Sequence, residues 1–298
     1  MKDEANDSKQ TNDILAKLDR LNDRLEVPYS RSKADVWAAM ETQLETKAPA
    51  KTIKLIHRPM FRLAMAASVL LVVGLIGLMR FYAVEVSTIP GQQLVVDLPD
   101  GSTAQLNAVS VVTYHPYWWR FSRILDFEGE AFFEVENGNR FSVHSSNGST
   151  TVLGTSFNIY SRDENYRVAC LTGTVRVNEN KGDSLAILTP NEKAELKKSG
   201  GFEVIKDINF KDEAAWVDDE FYFYNRPLKD VLREVEVQYG VVIKGKDVID
   251  GERIYQMTGR LIRSETSVED ILQIICRTFG ELNFRQAKDK EYVILKEE

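Results

Sequence analysis

The amino-acid sequence predicts a multidomain chain with a short α-helical segment, one transmembrane helix, an all-β domain and an α+β C-terminal domain. Three observations lead there. A seventeen-residue apolar run, LAMAASVLLVVGLIGLM over residues 63–79, stands between Arg62 and Arg80 with no charge inside it. Apolar residues before it recur at helical spacing, whereas those after it fall into short alternating runs broken by turn residues. The formal charge of −7 also divides unevenly, with +2 over residues 1–62, +1 at Arg80 and −10 from Phe81 onward.

Composition bounds the classes that remain. With 298 residues, 43% hydrophobic and 28% charged, the chain has an ordinary globular balance, which disfavours gross disorder and collagen-like or disulfide-scaffold classes. At roughly 100 to 200 residues per domain, two folded domains are expected. The acidity argues against direct nucleic-acid binding, which needs a basic footprint.

Residues 1–60 read as helices. Ile14, Leu15, Leu18, Leu21 and Leu25 make one apolar stripe of a helix that Pro28 ends. A second helix begins near Ser32 or Asp35 and presents Val36, Trp37, Met40 and Leu44 before Pro49. Two such helices hold too little core to be stable alone, so a partner protein is expected to cover them. Packing on each other or on a membrane surface is the alternative, and the acidic residues of the first helix weigh against the membrane.

The expected membrane helix covers residues 61–83. Seventeen helical residues span roughly 25 Å, short of a hydrocarbon core of about 30 Å. Met60, Phe61 and Phe81 to Val84 supply the missing length if Arg80 snorkels. A buried core helix is disfavoured because the run lacks polar periodicity, and a cleaved signal peptide because the run begins far from Met1. Lys47, Lys51, Lys54, Arg58 and Arg62 form an acid-free basic flank, whereas after Arg80 the next basic residue is Arg120. By the positive-inside rule the N-terminus is cytoplasmic and the acidic part lies across the membrane, so the flank is topogenic and not a nucleic-acid patch. Within the span, Gly74 and Gly77 lower helix propensity, and Ala64 with Ser68 make a small-xxx-small pair.

Beyond Val84, residues 93–98 run into Pro99-Asp100-Gly101, residues 124–127 into Glu128-Gly129-Glu130, and residues 132–136 into Asn137-Gly138. Further breaks at Asn147-Gly148, Thr172-Gly173 and Lys181-Gly182-Asp183 complete an all-β domain over residues 84–197. A linker is expected over residues 198–215, then an α+β domain over residues 216–298. There Phe221 and Phe223 mark a strand, and Asn225-Arg226-Pro227 opens a helix bearing Leu228, Val231, Leu232, Val235 and Tyr239, closed by Gly240. A second pass uses a strand over residues 254–261, an N-cap at Ser267, then Ile271, Leu272, Ile275, Phe279 and Gly280, making two related strand-helix-strand halves.

Several of these segments carry a resemblance. Leu98-Pro99-Asp100-Gly101-Ser102 with Leu106-Asn107-Ala108 resembles the LPDGS and LNA signature of FecR-type transmembrane anti-sigma regulators. Glu128-Gly129-Glu130-Ala131-Phe132-Phe133-Glu134-Val135 is similar to that family's GEAYFEV segment. Phe141-Ser142-Val143, Leu153-Gly154-Thr155-Ser156-Phe157-Asn158, Leu171-Thr172-Gly173-Thr174-Val175 and Leu188-Thr189-Pro190 follow in family order. Trp216, Phe223, Asn225-Arg226-Pro227-Leu228 and Tyr239-Gly240-Val241 resemble the C-terminal domain of the Bacteroidota branch, akin to the secretin and TonB N-terminal (STN) fold.

The resemblance implies a single-pass protein of the bacterial inner membrane with an all-β FecR-like periplasmic domain and an STN-like C-terminal domain. It implies a cytoplasmic partner, an extracytoplasmic-function sigma factor, for which Leu18, Leu21, Leu25, Trp37 and Met40 are the expected contacts on grounds of helix amphipathicity. It implies a second partner, an outer-membrane TonB-dependent transducer, met in the periplasm. Release by an intramembrane protease belongs to the same pattern, and pure inhibition and sigma activation after cleavage both stay open.

No cofactor or catalytic constellation is expected. His57, His115 and His144 are scattered, and Cys170 and Cys276 lack a CxxC; two buried free thiols are favoured over a disulfide. Asp126, Glu128, Glu130, Glu134 and Glu136 recur at even spacing, which reads as a solvated strand face more than as paired catalytic carboxylates. Neither a nucleophile elbow nor a GxxxxGK phosphate loop is present. Tyr114, Tyr117, Trp118 and Trp119 surround Pro116 and either cover one end of the β-domain or stack on a ligand. The rival functional reading is therefore a membrane-anchored periplasmic glycan-binding module using Trp118 and Trp119.

Overall fold

The computed structural model describes residues 13–21, 31–45, 59–249, 253–257 and 259–296. Leu25, Pro28, Lys47, Pro49, Lys51, Lys54, His57 and Arg58 lie outside the described residues. The chain divides into two compact units, Met1–Ser68 and Val69–Glu298.

In the first unit, residues 13–21 form helix α1 and Lys33–Glu45 form α2. Ser32 caps α2, because its hydroxyl accepts from the Asp35 amide at 3.2 Å while Asp35 Oδ2 accepts from the Ser32 amide at 3.1 Å. That reciprocal pair satisfies two donors a helix start leaves open. Helix α3 runs Pro59–Phe81, two residues earlier at each end than the expected span. Its 22-residue stretch Met60–Phe81 is long and apolar enough to cross a membrane, and none of its residues is buried.

The second unit begins with the C-terminal part of α3, after which come thirteen strands among the described residues: β1 (Val84–Ser87), β2 (Leu94–Asp97), β3 (Thr103–Leu106), β4 (Val111–Tyr114), β5 (Arg123–Glu134), β6 (Phe141–His144), β7 (Gly148–Val152), β8 (Ser156–Arg162), β9 (Asn165–Cys170), β10 (Val175–Glu179), β11 (Leu185–Leu188), β12 (Lys193–Leu196) and β13 (Phe202–Ile205). They form two layers that share β5. One layer orders as β1-β4-β5-β6-β7-β10-β11 and the other as β2-β3-β5-β8-β9-β12-β13. The N-terminal half of β5 pairs with β4 and, in parallel, with β6; its C-terminal half pairs with β3 and β8.

Glu128-Gly129-Glu130 is thus no turn, as expected above, but the bend at which one strand passes between layers. Gly129 has φ +116°, and a Cβ there would lie 2.3 Å from Ser110 Oγ, so only glycine fits. The layers enclose an aromatic core in which Phe133 stacks on Phe157 with centroids 5.3 Å apart, and Phe127 meets Phe133 edge-on at 5.6 Å.

Residues 198–215 are not a free linker. Strand β13 continues the sheet past residue 197, and α4 (Phe210–Glu213) packs Phe210 with Ala214 and Trp216 against Phe132 and Ala169. Burying that apolar surface outweighs the freedom of a loop.

The remainder comprises β14 (Glu220–Phe221), β15 (Arg226–Pro227), α5 (Leu228–Tyr239), β16 (Val242–Lys244), β17 (Ile254–Tyr255), β18 (Leu261–Ile262), α6 (Val268–Phe279), β19 (Leu282–Lys288) and β20 (Glu291–Lys296). The single strand expected over residues 254–261 is two short pieces, which pair separately with β15 and β14. Strand β20 pairs in parallel with β16 and antiparallel with β19. Gly240 ends α5 in the left-handed conformation, and Ser267 with Asp270 closes a capping box on α6.

Candidate functional site

Two surfaces qualify by chemistry. The first is the apolar stripe of the N-terminal helices. Leu18 and Leu21 of α1 are 56% and 57% exposed, and Trp37 and Met40 of α2 are 61% and 48% exposed. Side chains of this size leave water readily, and here they are left in contact with it. Arg62 of the basic flank is exposed as well.

The second is a buried polar joint between the β-domain and the α+β part, centred on Glu130. This residue was expected on a solvated face but is buried, because Trp216 and α5 close over the strand beyond the Gly129 bend. Its carboxylate accepts from Asn107 Nδ2 at 2.8 Å and from Asn158 Nδ2 at 3.1 Å. Asn107 Oδ1 in turn accepts from Gln238 Nε2 of α5 at 2.8 Å, and Asn158 Oδ1 from Trp216 Nε1 at 3.3 Å. Burial, and behind it the Glu234 charge, pushes the Glu130 carboxyl above the ordinary range, against the pull of Arg162 and Arg226.

Next to it, burial alone would raise Glu213, but Arg226 and Lys193 outweigh it and hold its carboxyl below the usual range. Lys193 reaches Glu213 Oε1 at 2.8 Å and Arg226 reaches Oε2 at 3.4 Å. Outside this cluster, Arg233 bridges from α5 to Asp163 at 2.7 Å. A backbone link, Gly91 N to Val237 O at 3.1 Å, and a side-chain one, Gln93 Nε2 to Trp216 O at 3.0 Å, tie the same parts together. A joint of this kind locks one arrangement of its two sides, because parting them leaves charges and amides unpaired. Sequence reasoning missed it, although Gln238, three residues after Val235 on the apolar face of α5, was a legible sign.

The motif positions turn out to hold the fold. Leu98 to Ser102 form a tight turn with Leu98 N to Ser102 O at 2.8 Å and Gly101 at φ +87°. Asp100 accepts from the Ser102 amide at 3.1 Å and pairs with Arg123, which donates onward to Asn139 O and Glu136 O. Burial would raise the Asp100 carboxyl, but the Ser102 hydrogen bonds and Arg123 together bring it below its ordinary value. Phe133 and Phe157 are core rings, and Thr155 is buried with its hydroxyl 3.3 Å from Thr174 O. A Cβ on Gly154 would meet Asn137 Oδ1 at 2.0 Å, and Gly173 has φ +71°. Pro227 stands at the first position before α5, Leu228 is buried beneath the helix start, and Asn225 takes φ +51° two residues earlier.

The other candidates disperse. Trp119 is buried while Trp118 stays half-buried, so the two indoles do not make one stacking platform. Cys170 and Cys276 are buried free thiols, each pushed to about 11 by burial, with the Glu192 charge adding at Cys170. Among the described residues no three potential metal ligands cluster.

Comparison with known proteins joins these parts. Residues 84–176 match the family described as FecR protein, and residues 220–294 match the one described as FecR, C-terminal. No curated protein is similar enough to the chain to count as a match. Two crystal structures of a candidate anti-sigma factor from Parabacteroides distasonis share the fold at TM-score 0.65 and 28% identity; they cover 73% and 72% of this chain and 100% of their own. The Glu130 joint lies across the two matched segments, and its Asn107 belongs to the LNA element, so the recurrent residues and the geometry describe one architecture. The chain belongs to the FecR family of anti-sigma factors.

Proposed function

We propose that this anti-sigma regulator is a single-pass inner-membrane relay. Its cytoplasmic helices grip an extracytoplasmic-function sigma factor, and its periplasmic part reads an outer-membrane TonB-dependent transducer. The observation that carries the reading is the uncovered apolar stripe of α1 and α2, placed just before an apolar helix with a basic N-terminal flank. Leu18, Leu21, Trp37 and Met40, with Leu25 beyond the described residues, are the proposed sigma-factor contacts. Lys47, Lys51, Lys54, Arg58 and Arg62 keep that end in the cytoplasm. Boundaries near residues 61–83 for the span, 84–197 for the FecR-like domain and 216–298 for an STN-like domain belong to the same proposal.

In the periplasm, transducer occupancy has to bias a two-state element, since a rigid helix transmits nothing without differential contacts. The polar joint around Glu130 supplies such an element, closed in this structure. Exposure to an intramembrane protease is the downstream event that fits a span containing Gly74 and Gly77.

Co-purification of the full chain with the cell's sigma factors tests the core claim. Retention of one sigma factor by the parent, and its loss in the Leu21→Asp, Trp37→Ala double variant, is the expected result. Equal retention by both, or none by the parent, sinks the reading.

A further inference from the structure

Helix α3 ends at Phe81 and β1 begins at Val84, so only Tyr82 and Ala83 connect them. Two extended residues reach no more than about 7 Å. A β-domain tethered that closely to a membrane helix has to lie against the bilayer. Strand pairing decides which part of it does so. Because β1 pairs antiparallel with β4, Val84 opposite Tyr114, the turn after β4 comes back to the helix end. There His115 Nδ1 lies 2.9 Å from Tyr82 O, the rings of Tyr82 and Tyr117 are 5.3 Å apart, and the Arg80 guanidinium lies 5.6 Å from the Trp118 ring.

The turn is held in shape from within. Trp118 N donates to His115 O at 3.1 Å and Phe121 N to Trp118 O at 2.9 Å. Trp119 anchors it, edge-on to Tyr114 and Phe141 at 5.7 Å each. With that indole inside, the neighbouring rings are left outside: Phe121 is 70% and Tyr117 55% exposed. Arg120, exposed beside them, makes no hydrogen bond or ion pair among the described residues. Large rings turned to water beside an unpaired cation are poorly suited to an aqueous surface. At a lipid headgroup layer the same set is at home, because amphipathic aromatics sit at that depth and arginines meet lipid phosphates.

We propose that the turn over residues 115–122 is an interfacial anchor: Tyr117, Trp118 and Phe121 lie at the headgroup level of the leaflet that α3 exits, with Arg80 and Arg120 on its phosphates. The β-domain then has a second attachment to the membrane besides the span. The inference rests on α3 being a membrane span.

The test uses the full chain reconstituted in phosphatidylethanolamine–phosphatidylglycerol vesicles. Single spin labels are placed at Phe121→Cys, at Leu71→Cys in the span and at Lys181→Cys on a distant exposed turn, with Cys170 and Cys276 left buried. Collision with lipid-soluble oxygen is compared with collision with a water-soluble nickel chelate. Position 121 is expected to show several-fold less chelate collision than position 181 and more oxygen collision. If position 121 matches position 181 while position 71 is in lipid, the anchor is wrong and the span stands. A label at position 71 that meets the chelate freely removes the span, and the anchor with it.

Discussion

Four helices of this chain, α1, α2, α5 and α6, carry large apolar side chains, and these meet two fates. In α5 and α6 the apolar stripe is covered, with Val231, Leu232, Ile271, Leu272 and Ile275 shut away from water. In α1 and α2 the large apolar side chains are left exposed. Capping does not separate α2 from α6, since Ser32 with Asp35 caps the one much as Ser267 with Asp270 caps the other. What differs is what lies alongside: α6 packs beside β19, and both covered helices belong to one core with strand residues Ile243, Tyr292 and Ile294. A stripe without such support finds its stability in a partner.

Substitutions can break that contrast, and the largest effect is expected at Leu272. Leu272→Ala leaves a cavity in the second core and should cost about 2–5 kcal/mol, read as a lower thermal midpoint of the full chain in detergent. A midpoint within error of the parent would mean the covered stripe is no better supported than the open one.

A smaller effect concerns the charge beneath the covered surface. Glu130, with its folded carboxyl raised by burial and then by Glu234, binds its proton more tightly in the folded state than in the unfolded one. Its favourable share is complete below the ordinary value of 4.5 and is lost as pH rises through the folded value. Glu130→Gln should therefore flatten the decline of melting temperature with rising pH above that point; an unaltered slope would assign the decline elsewhere.

Ser267→Ala, removing the cap of α6, should cost about 1 kcal/mol in the same melt. Smallest of all, Leu18→Ala should move the melt by no more than about 0.5 kcal/mol, since its side chain is already in water. A loss at Leu18 as large as at Leu272 would show that the open stripe is packed within the chain and abolish the contrast.

Features set by near neighbours in sequence were legible. The apolar run announced α3, Gly240 and Ser267 announced the end of α5 and the start of α6, and Pro99-Asp100-Gly101 announced its turn. Features set by distant neighbours were not. Glu130 looked solvated because alternation tells which face a residue is on, while burial depends on Trp216 and Gln238, many residues later. Gly129 looked like a turn because glycine marks a chain bend, and the pairing with β3 and β8 that carries the strand through it is non-local. Residues 198–215 looked like a linker because they fall between two patterned regions, yet Phe210, with Trp216 just after the segment, docks them on Phe132. Trp118 and Trp119 looked like a pair, and the turn sends one inward and leaves the other at the rim.

The two-residue connection after α3 also has a mechanical meaning. It contains no slack, so a pull on β1 is delivered undiminished to the end of the helix. Among the described residues strand β1 pairs with β4 alone, over four residues at the margin of its layer, with Val84 and Val86 packed on the core. Its release would lengthen the free chain from two residues to six, from about 7 Å to about 20 Å of reach. Within its fold, β1 acts as a catch on a short tether: engaged, it keeps the stretch next to the helix out of reach, and slipped, it offers that stretch as extended chain.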